Sequence, residues 1–369
     1  MRIHSVELRE VALPLVTPFR TSVGSQDDRN ALLVKVTTTD GGVGWGECVA
    51  EDDPYYFPEY LSGEREVIQR WLAPTLAAVT DLRAAQVPGL LRPVRAHTMA
   101  KSAIEMAVLD AELRVLGVSL AQHLGAVNSS VPVGVSVGIT DTLDALVEAV
   151  AGYLEEGYGR VKLKIEPGWD LEPVRLVRES FGDDLALQVD ANTAYGPSDI
   201  PHLRRLDEFG LVLIEQPFAP DDLDSHRRLA ARLDTPVCLD ESIRSARDAA
   251  TALRMEACSI INIKPGRVGG YLESRRIHDL CTSTGVPVWC GGMLETGLGR
   301  AANLALAALP GFTLPGDISA TARYYARDIT APFVLDNGRL RVPDGPGIGI
   351  EPDPASLEAA TTSVEVLTY

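Results

Sequence analysis

Seven positions set at nearly constant intervals constrain this chain more than any other feature. Lys164, Asp190, Glu215, Asp240, Lys264, Gly291 and Asp317 follow one another by 26, 25, 25, 24, 27 and 26 residues. Each lies near the C-terminal end of a short apolar run: RVKLKI, LALQVDAN, LVLIEQP, PVCLDES, SIINIKP, VPVWCGG and FTLPGD, with VPVGVSVGI before them. Eight such runs alternating with helical segments predict a closed α/β barrel, whose chemistry sits at the C-terminal ends of its strands. An open doubly wound sheet is the alternative. No G-x-G-x-x-G follows the first strand, and functional residues spread over six strands suit a ring better.

A barrel takes about 250 residues, and the chain has 369. The surplus lies mostly at the front. IHSVELREVALPL and ALLVKVTTTDGGVGWGECV alternate as the hairpins of a small antiparallel sheet, with a turn at Asp40–Gly42. A polar loop is expected over Phe19–Asn30 and an aromatic-rich one over Glu51–Tyr60, and such loops either close over a site or are exposed turns. A helix over Met99–Leu116, ending at Gly117, carries Ala103, Met106, Ala107, Asp110 and Leu113 on one face. The expected division is an α+β unit over residues 1–128, a barrel over 129–322, and a segment over 323–369, strand-like at Phe333–Leu335, that returns to the first unit.

A formal net charge of −17 and a pI near 4.8 argue against a nucleic-acid or anionic-membrane partner. An acidic protein can still bind a small carboxylate if its pocket is locally cationic. No apolar span is long enough for a membrane helix, and MRIHSVELRE lacks the regions of a signal peptide, so a cytoplasmic location is expected. Five cysteines without CxxC spacing predict reduced thiols, with neither a disulfide framework nor a zinc ribbon.

If the ring closes in sequence order, Asp190, Glu215 and Asp240 stand on neighbouring strands. Three adjacent carboxylates repel one another unless a cation sits among them. An all-oxygen set favours Mg²⁺, tolerates Mn²⁺, and suits Zn²⁺ less. Lys164 and Lys264 fall four strands apart and should face each other across the mouth. A substrate carboxylate beside the acids would place its α-carbon between two amines, an arrangement suited to removing and returning an α-proton.

Lys162 shares a strand face with Lys164; an exposed edge strand bearing two lysines is the alternative for that stretch. Within a barrel, Lys162 lowers the pKa of its neighbour and binds a substrate carboxylate. Arg267 either tunes Lys264 or forms a surface ion pair. Asn192 and Glu241 are candidates for holding the metal ligands in place. The backbone N–H groups of Gly291, Gly292 and Met293 are candidates for receiving a carboxylate or carbonyl. The six histidines lie away from the strand ends, and Ser129, Ser130 and Ser136 have no partnering His in the pattern, so a hydrolase triad is unsupported.

These motifs, KLK at 162–164, DAN at 190–192, EQP at 215–217, DES at 240–242, KPGRVGG at 264–270 and GGMLETGLG at 291–299, resemble the enolase superfamily over nearly the full length. Within it they resemble the o-succinylbenzoate synthase/N-succinylamino acid racemase family. The resemblance implies a modified TIM-type (β/α)7β barrel with an α+β capping domain. It implies Asp190, Glu215 and Asp240 as ligands of Mg²⁺, replaceable by Mn²⁺ or Co²⁺, and Lys164 and Lys264 as acid/base groups. It also implies substrate contacts from Phe19, Ser136 and Gly291–Met293, and a homo-oligomer, commonly an octamer. The late-strand His of mandelate racemase-like relatives is absent.

The activity expected is racemisation of N-acylamino acids by two-base proton transfer, with o-succinylbenzoate synthase activity in the same pocket. A dedicated synthase of menaquinone biosynthesis would use the same residues. A Schiff-base aldolase would also use a barrel lysine but would gain nothing from three adjacent acids. A non-catalytic interaction protein would not need the lysines.

Overall fold

A computed structural model describes all residues from Met1 to Tyr369. The front of the chain forms β1 (Ile3–Arg20), β2 (Ser25–Thr38) and β3 (Val43–Cys48), an antiparallel meander. The expected loop over Phe19–Asn30 is mostly strand. Phe19 pairs with Gln26 and Arg20 with Ser25, leaving a tight turn closed by Thr21 N–H on the Gly24 carbonyl at 2.8 Å. Polarity misled the sequence reading there, because this hairpin extends beyond the sheet's core into a pocket wall.

The helix Thr98–Leu116 crosses the meander and is buried nearly all round, not along the single face its pattern suggests. Gly44 and Gly46 permit the close approach. A Cβ on either would lie 2.1 Å from the Ala107 carbonyl oxygen or 1.9 Å from that of Ala103. Small residues on both elements bring helix and sheet backbones into contact.

Next come β4 (Ser130–Pro132) and β5 (Val135–Val137), where one continuous strand was expected. The break falls at Gly134, whose missing side chain leaves room for the Arg160 guanidinium; a Cβ there would lie 2.2 Å from Arg160 Cζ. The strands β5, β6 (Arg160–Lys164), β7 (Ala186–Asp190), β8 (Ile214–Glu215), β9 (Val237–Leu239), β10 (Ile260–Ile263) and β11 (Val288–Cys290) form one parallel sheet in sequence order. Helices alternate with them, as βαβ units require.

The expected eighth strand, FTLPGD, is an irregular stave. It touches β11 through a Phe312–Val288 bridge and the start of the sheet through Gly316–Val133, and Asp317 N–H reaches the Cys290 carbonyl at 2.9 Å. Pro315 lacks the donor a regular ladder needs. The curled sheet is thus closed by bridges rather than by a full strand.

β12 (Arg339–Arg341) pairs with β4, and β13 (Thr361–Thr368) returns to pair antiparallel with β1. Phe333–Leu335 forms no strand. No helix is long and apolar enough to cross a membrane, and all five cysteines are free and buried.

Two buried acids of the capping unit hold the barrel helices that follow β10 and β11. Glu47 on β3 accepts hydrogen bonds from Thr296 N–H at 2.9 Å, Thr296 Oγ1 at 2.7 Å and Gly299 N–H at 3.0 Å, at the start of the helix Gly297–Ala307. Glu105 accepts from Leu272 N–H at 3.1 Å in the first turn of Tyr271–Thr284. Gly270 makes room for it, since a Cβ there would lie 2.1 Å from Glu105 Oε1. Both contacts satisfy donors that a helix start leaves open.

Burial nonetheless pushes Glu47 up to about 7 and Glu105 up to about 8, against an ordinary 4.5. The folded protein therefore binds more protons than the unfolded chain between about pH 4.5 and 8. These two groups make stability fall as pH rises through that window. Urea midpoints measured from pH 5 to 8.5 should decline in the native protein. The decline should be shallower in Glu47→Gln and Glu105→Gln; identical slopes in all three proteins would contradict the assignment.

Candidate active site

The strand ends of β6 to β10 place five ionisable groups in a row around the barrel mouth. Parallel register sets Lys164 beside Asp190 and Asp190 beside Glu215. Asp240 directly follows β9 and Lys264 directly follows β10. The three carboxylates are fully buried and the two lysines nearly so. The lysines flank the acids from strands four places apart, which are opposite sides of an eight-stave ring.

Lys164 Nζ lies 2.6 Å from Asp190 Oδ2 and 2.6 Å from Asn192 Oδ1. Asn192 in turn donates to Glu241 Oε1 at 3.0 Å, so both residues named as supports join one chain of contacts to the lysine. Lys264 Nζ lies 2.9 Å from Asp240 Oδ2 and 3.1 Å from the Tyr56 hydroxyl. Arg267 is buried and pairs with Asp240 Oδ1, which excludes the surface ion pair. The backbone bends sharply here: Asn192, Thr193, Gln216 and Leu294 have φ of 40°, 69°, 39° and 55°. Non-glycine residues rarely adopt such values, and they cluster at strand ends that must aim side chains.

Lys162 sits deeper, 2.9 Å from Glu215 Oε2, 3.1 Å from Asp190 Oδ2 and 2.5 Å from Asp317 Oδ2. Three acids thus surround its ammonium and place it to balance their charge. Asp317 is also held by Arg160 at 2.6 Å. At formal charge, Lys162, Lys164, Lys264, Arg160 and Arg267 balance Asp190, Glu215, Asp240, Glu241 and Asp317.

These neighbours shift the titrations in opposite directions. Burial raises Glu215, and Asp190 beside it raises it further. Burial also pushes Asp190 upward, but Lys164 and Lys162 outweigh it and hold the carboxyl well below the usual range. Burial pulls Lys164 below its ordinary value despite Asp190. Burial acts on Lys264 in the same sense, yet Tyr56 and the surrounding acids more than reverse it.

No three acidic, His or Cys side chains converge on one point, because each carboxylate is drawn to an ammonium or guanidinium group. The donor set nevertheless fits a hard divalent cation. It offers three buried carboxylates on adjacent strands, and Asp240 Oδ2 makes no aligned hydrogen bond despite its nearness to Lys264.

A cavity of about 400 Å³ opens over this row, bounded by Phe19, Tyr56, Ser136, Met293 and both lysines. The Ser136 hydroxyl is buried without a partner at its wall. Phe19 has Lys164 Nζ 5.9 Å from its ring centroid. Of the backbone donors proposed after β11, Gly291 N–H is spent on the Ile263 carbonyl and Met293 N–H on Glu295 Oε2. Gly291 instead provides space, since a Cβ there would lie 2.7 Å from Lys264 Cε.

Sequence reasoning missed Asn262, which donates to Glu215 Oε1 at 2.7 Å, and Tyr56. Asn262 shares a strand face with Lys264, so alternation alone was enough to find it. Tyr56 lies within the aromatic-rich loop, whose sequence does not say which ring turns inward. Its hydroxyl meets Lys264 and Arg267, the latter at 2.5 Å.

Two family models match the chain. "Mandelate racemase / muconate lactonizing enzyme, N-terminal domain" matches residues 3–125, and "Enolase C-terminal domain-like" matches 145–356. An N-succinylamino acid racemase from Amycolatopsis sp is 60% identical over 98% of both chains. An o-succinylbenzoate synthase from Geobacillus kaustophilus is 47% identical over 98% of this chain and 96% of its own. The crystal structure of an enolase superfamily member from Listeria innocua superposes with a TM-score of 0.96. It has 40% identity and covers 100% of this chain and 99% of its own.

The Tyr56 contacts tie the loop Glu51–Tyr60 to the barrel. Tyr56→Phe should raise amide hydrogen exchange within that loop by about tenfold, the worth of one ordinary hydrogen bond. Exchange in β6 to β11 should stay unchanged. Unaltered protection of the loop would show that the hydroxyl does not anchor it.

Proposed function

Because the chain belongs to the enolase superfamily, as an enzyme of its N-succinylamino acid racemase and o-succinylbenzoate synthase type, we propose that it is a divalent-metal-dependent N-acylamino acid racemase. The observation that carries this reading is the opposed pair Lys164 and Lys264, set on either side of the acid row. The 60% identity to a relative named as an N-succinylamino acid racemase supports racemisation over dehydration.

Asp190, Glu215 and Asp240 would hold the cation, with Mg²⁺ favoured by their oxygen chemistry, and it would supply positive charge for a substrate carboxylate and for the negative charge that develops on it. Lys162 remains beneath the acids and balances their charge. The substrate α-carbon lies between Lys164 and Lys264. One lysine, neutral, takes the α-proton from its side; the other, protonated, delivers a proton to the opposite side, and the configuration inverts. Burial of Lys164 favours its neutral form, while the acids around Lys264 favour its charged form. In the reverse direction the roles exchange. Asn192 fixes Lys164 and Tyr56 fixes Lys264, so each amine is aimed before substrate arrives. The Phe19 and Tyr56 rings, with the loop Glu51–Tyr60, reduce solvent around the reacting carbon.

The same residues suit o-succinylbenzoate synthase chemistry, in which one lysine removes the proton and serves the departing hydroxyl. Synthase relatives at up to 47% identity favour this as a second activity of the pocket.

In D₂O, the metal-loaded enzyme should exchange the α-proton of N-succinylamino acids and interconvert their enantiomers. Lys164→Ala and Lys264→Ala should each abolish racemisation, while each retains α-proton exchange with one enantiomer, opposite for the two variants. Loss of exchange with both enantiomers in one variant and neither in the other would contradict a two-base site. Chelation of the metal should remove both activities, and Mg²⁺ should restore them. Full turnover after exhaustive chelation would exclude the metal.

A further inference from the structure

Of the three acids in the row, Asp240 alone lies beyond the sheet's ladder. Asp190 and Glu215 are register partners in β7 and β8. The ladder between β8 and β9 stops at Glu215 and Cys238, two residues short of Asp240, and the one between β9 and β10 stops at Leu239. Past its last rung a strand end loses the backbone partner that fixes it, so the carboxylate it carries needs another support.

Gln216 supplies that support. It follows Glu215 and is wholly buried, with φ of 39°. Its own N–H donates to the Cys238 carbonyl at 2.9 Å, and its side-chain amide then continues across to the end of β9. Oε1 accepts from Asp240 N–H at 2.9 Å and from Ser242 N–H at 3.2 Å. Nε2 donates to Ser242 Oγ at 2.8 Å and to the Phe218 carbonyl at 3.1 Å. Backbone donors at one end and a backbone acceptor at the other leave the amide a single orientation. The Gln216 carbonyl accepts from Thr193 N–H at 2.8 Å, three residues past Asp190. One residue thus joins the ends of β7, β8 and β9, which carry the three acids.

Strand alternation would not place the side chain there. Glu215 points into the barrel, and the next residue of a regular strand would point out toward the helices. The positive φ, uncommon for a residue other than glycine, accompanies a side chain that lies across the strand ends instead. Behind it, His226 Nε2 accepts from Phe218 N–H at 3.3 Å and its Nδ1 meets the Asp222 carbonyl at 2.8 Å, so the turn that Gln216 grips is itself held. None of the Gln216 contacts uses a carboxylate oxygen of Asp190, Glu215 or Asp240. The residue sets where the acids stand and leaves free the oxygens that a cation would take.

Resting on the divalent-metal reading, we propose that Gln216 is a positioning residue for the cation site. It holds Asp240 at the spacing from Asp190 and Glu215 that lets the three carboxylates share one ion. Lys264 and Arg267 act on the Asp240 carboxylate, whereas Gln216 acts on the backbone that bears it.

The test measures Mn²⁺ affinity of the chelator-stripped protein, from the EPR signal of the free ion, in the native enzyme, Gln216→Met and Ser242→Ala. Methionine keeps the length of the side chain and removes its hydrogen-bonding groups. Gln216→Met should bind Mn²⁺ about 10- to 100-fold more weakly, the range for losing a support behind metal ligands. Ser242→Ala removes one contact and leaves Asp240 N–H on Gln216, so it should lose less, about threefold. The α-proton exchange that Gln216→Met loses at low Mn²⁺ should return as Mn²⁺ is raised. Urea midpoints taken without metal separate this role from a purely structural one. A lower midpoint with unchanged Mn²⁺ affinity in Gln216→Met would overturn the proposal and leave the metal reading intact. Native protein that binds no Mn²⁺ would overturn both. If Gln216→Met does not fold, Ser242→Ala decides, and unchanged affinity in that variant would overturn the proposal.

Discussion

The barrel mouth is governed by the cost of burying charge. Asp190, Glu215 and Asp240 are wholly out of water, and isolated carboxylates there would be untenable. Lys162, Lys164, Lys264 and Arg267 set opposite charge against them from below and from both sides. The parallel register makes this possible by setting one functional side chain on each of five consecutive strands. Removing one member leaves a buried charge unpaired, so the cluster acts as a unit.

That balance also accounts for how the site can work. The ten formal charges cancel before anything binds. A divalent cation and a substrate carboxylate together add one positive charge, and loss of a proton from one lysine removes it. A two-base racemase needs one neutral and one protonated amine at the start of turnover. Charge neutrality at the mouth favours that state over two ammonium groups or two free amines. Burial at Lys164 and acidic company at Lys264 bias which amine is neutral.

Much of this was legible in the sequence because βαβ units repeat at a nearly fixed length. The intervals from Lys164 to Asp317 put the acids on adjacent strands and the lysines opposite each other before any coordinates. Strand alternation put Lys162 inside with Lys164, but it could not say that Lys162 lies among acids, since that depends on Asp317 arriving from the far end of the ring. The eighth stave was over-read because its apolar run hides Pro315. The hairpin at Phe19–Asn30 was under-read because its strand residues are polar, as residues facing a cavity often are. Arg267 was ambiguous in sequence, where a helix-borne arginine carries no sign of its 1% exposure. Tyr56 comes from the capping unit and reaches the site only through tertiary docking, which Glu47 and Glu105 help to hold.

The account stands on the acid row accepting a divalent cation between the opposed lysines. Anomalous diffraction from Mn²⁺-loaded crystals measures this directly. A single strong peak should appear bounded by Asp190, Glu215 and Asp240, with Lys164 and Lys264 on either side and both freed from direct contact with those acids. No peak at that position, with Lys164 still on Asp190 and Lys264 still on Asp240, would contradict it.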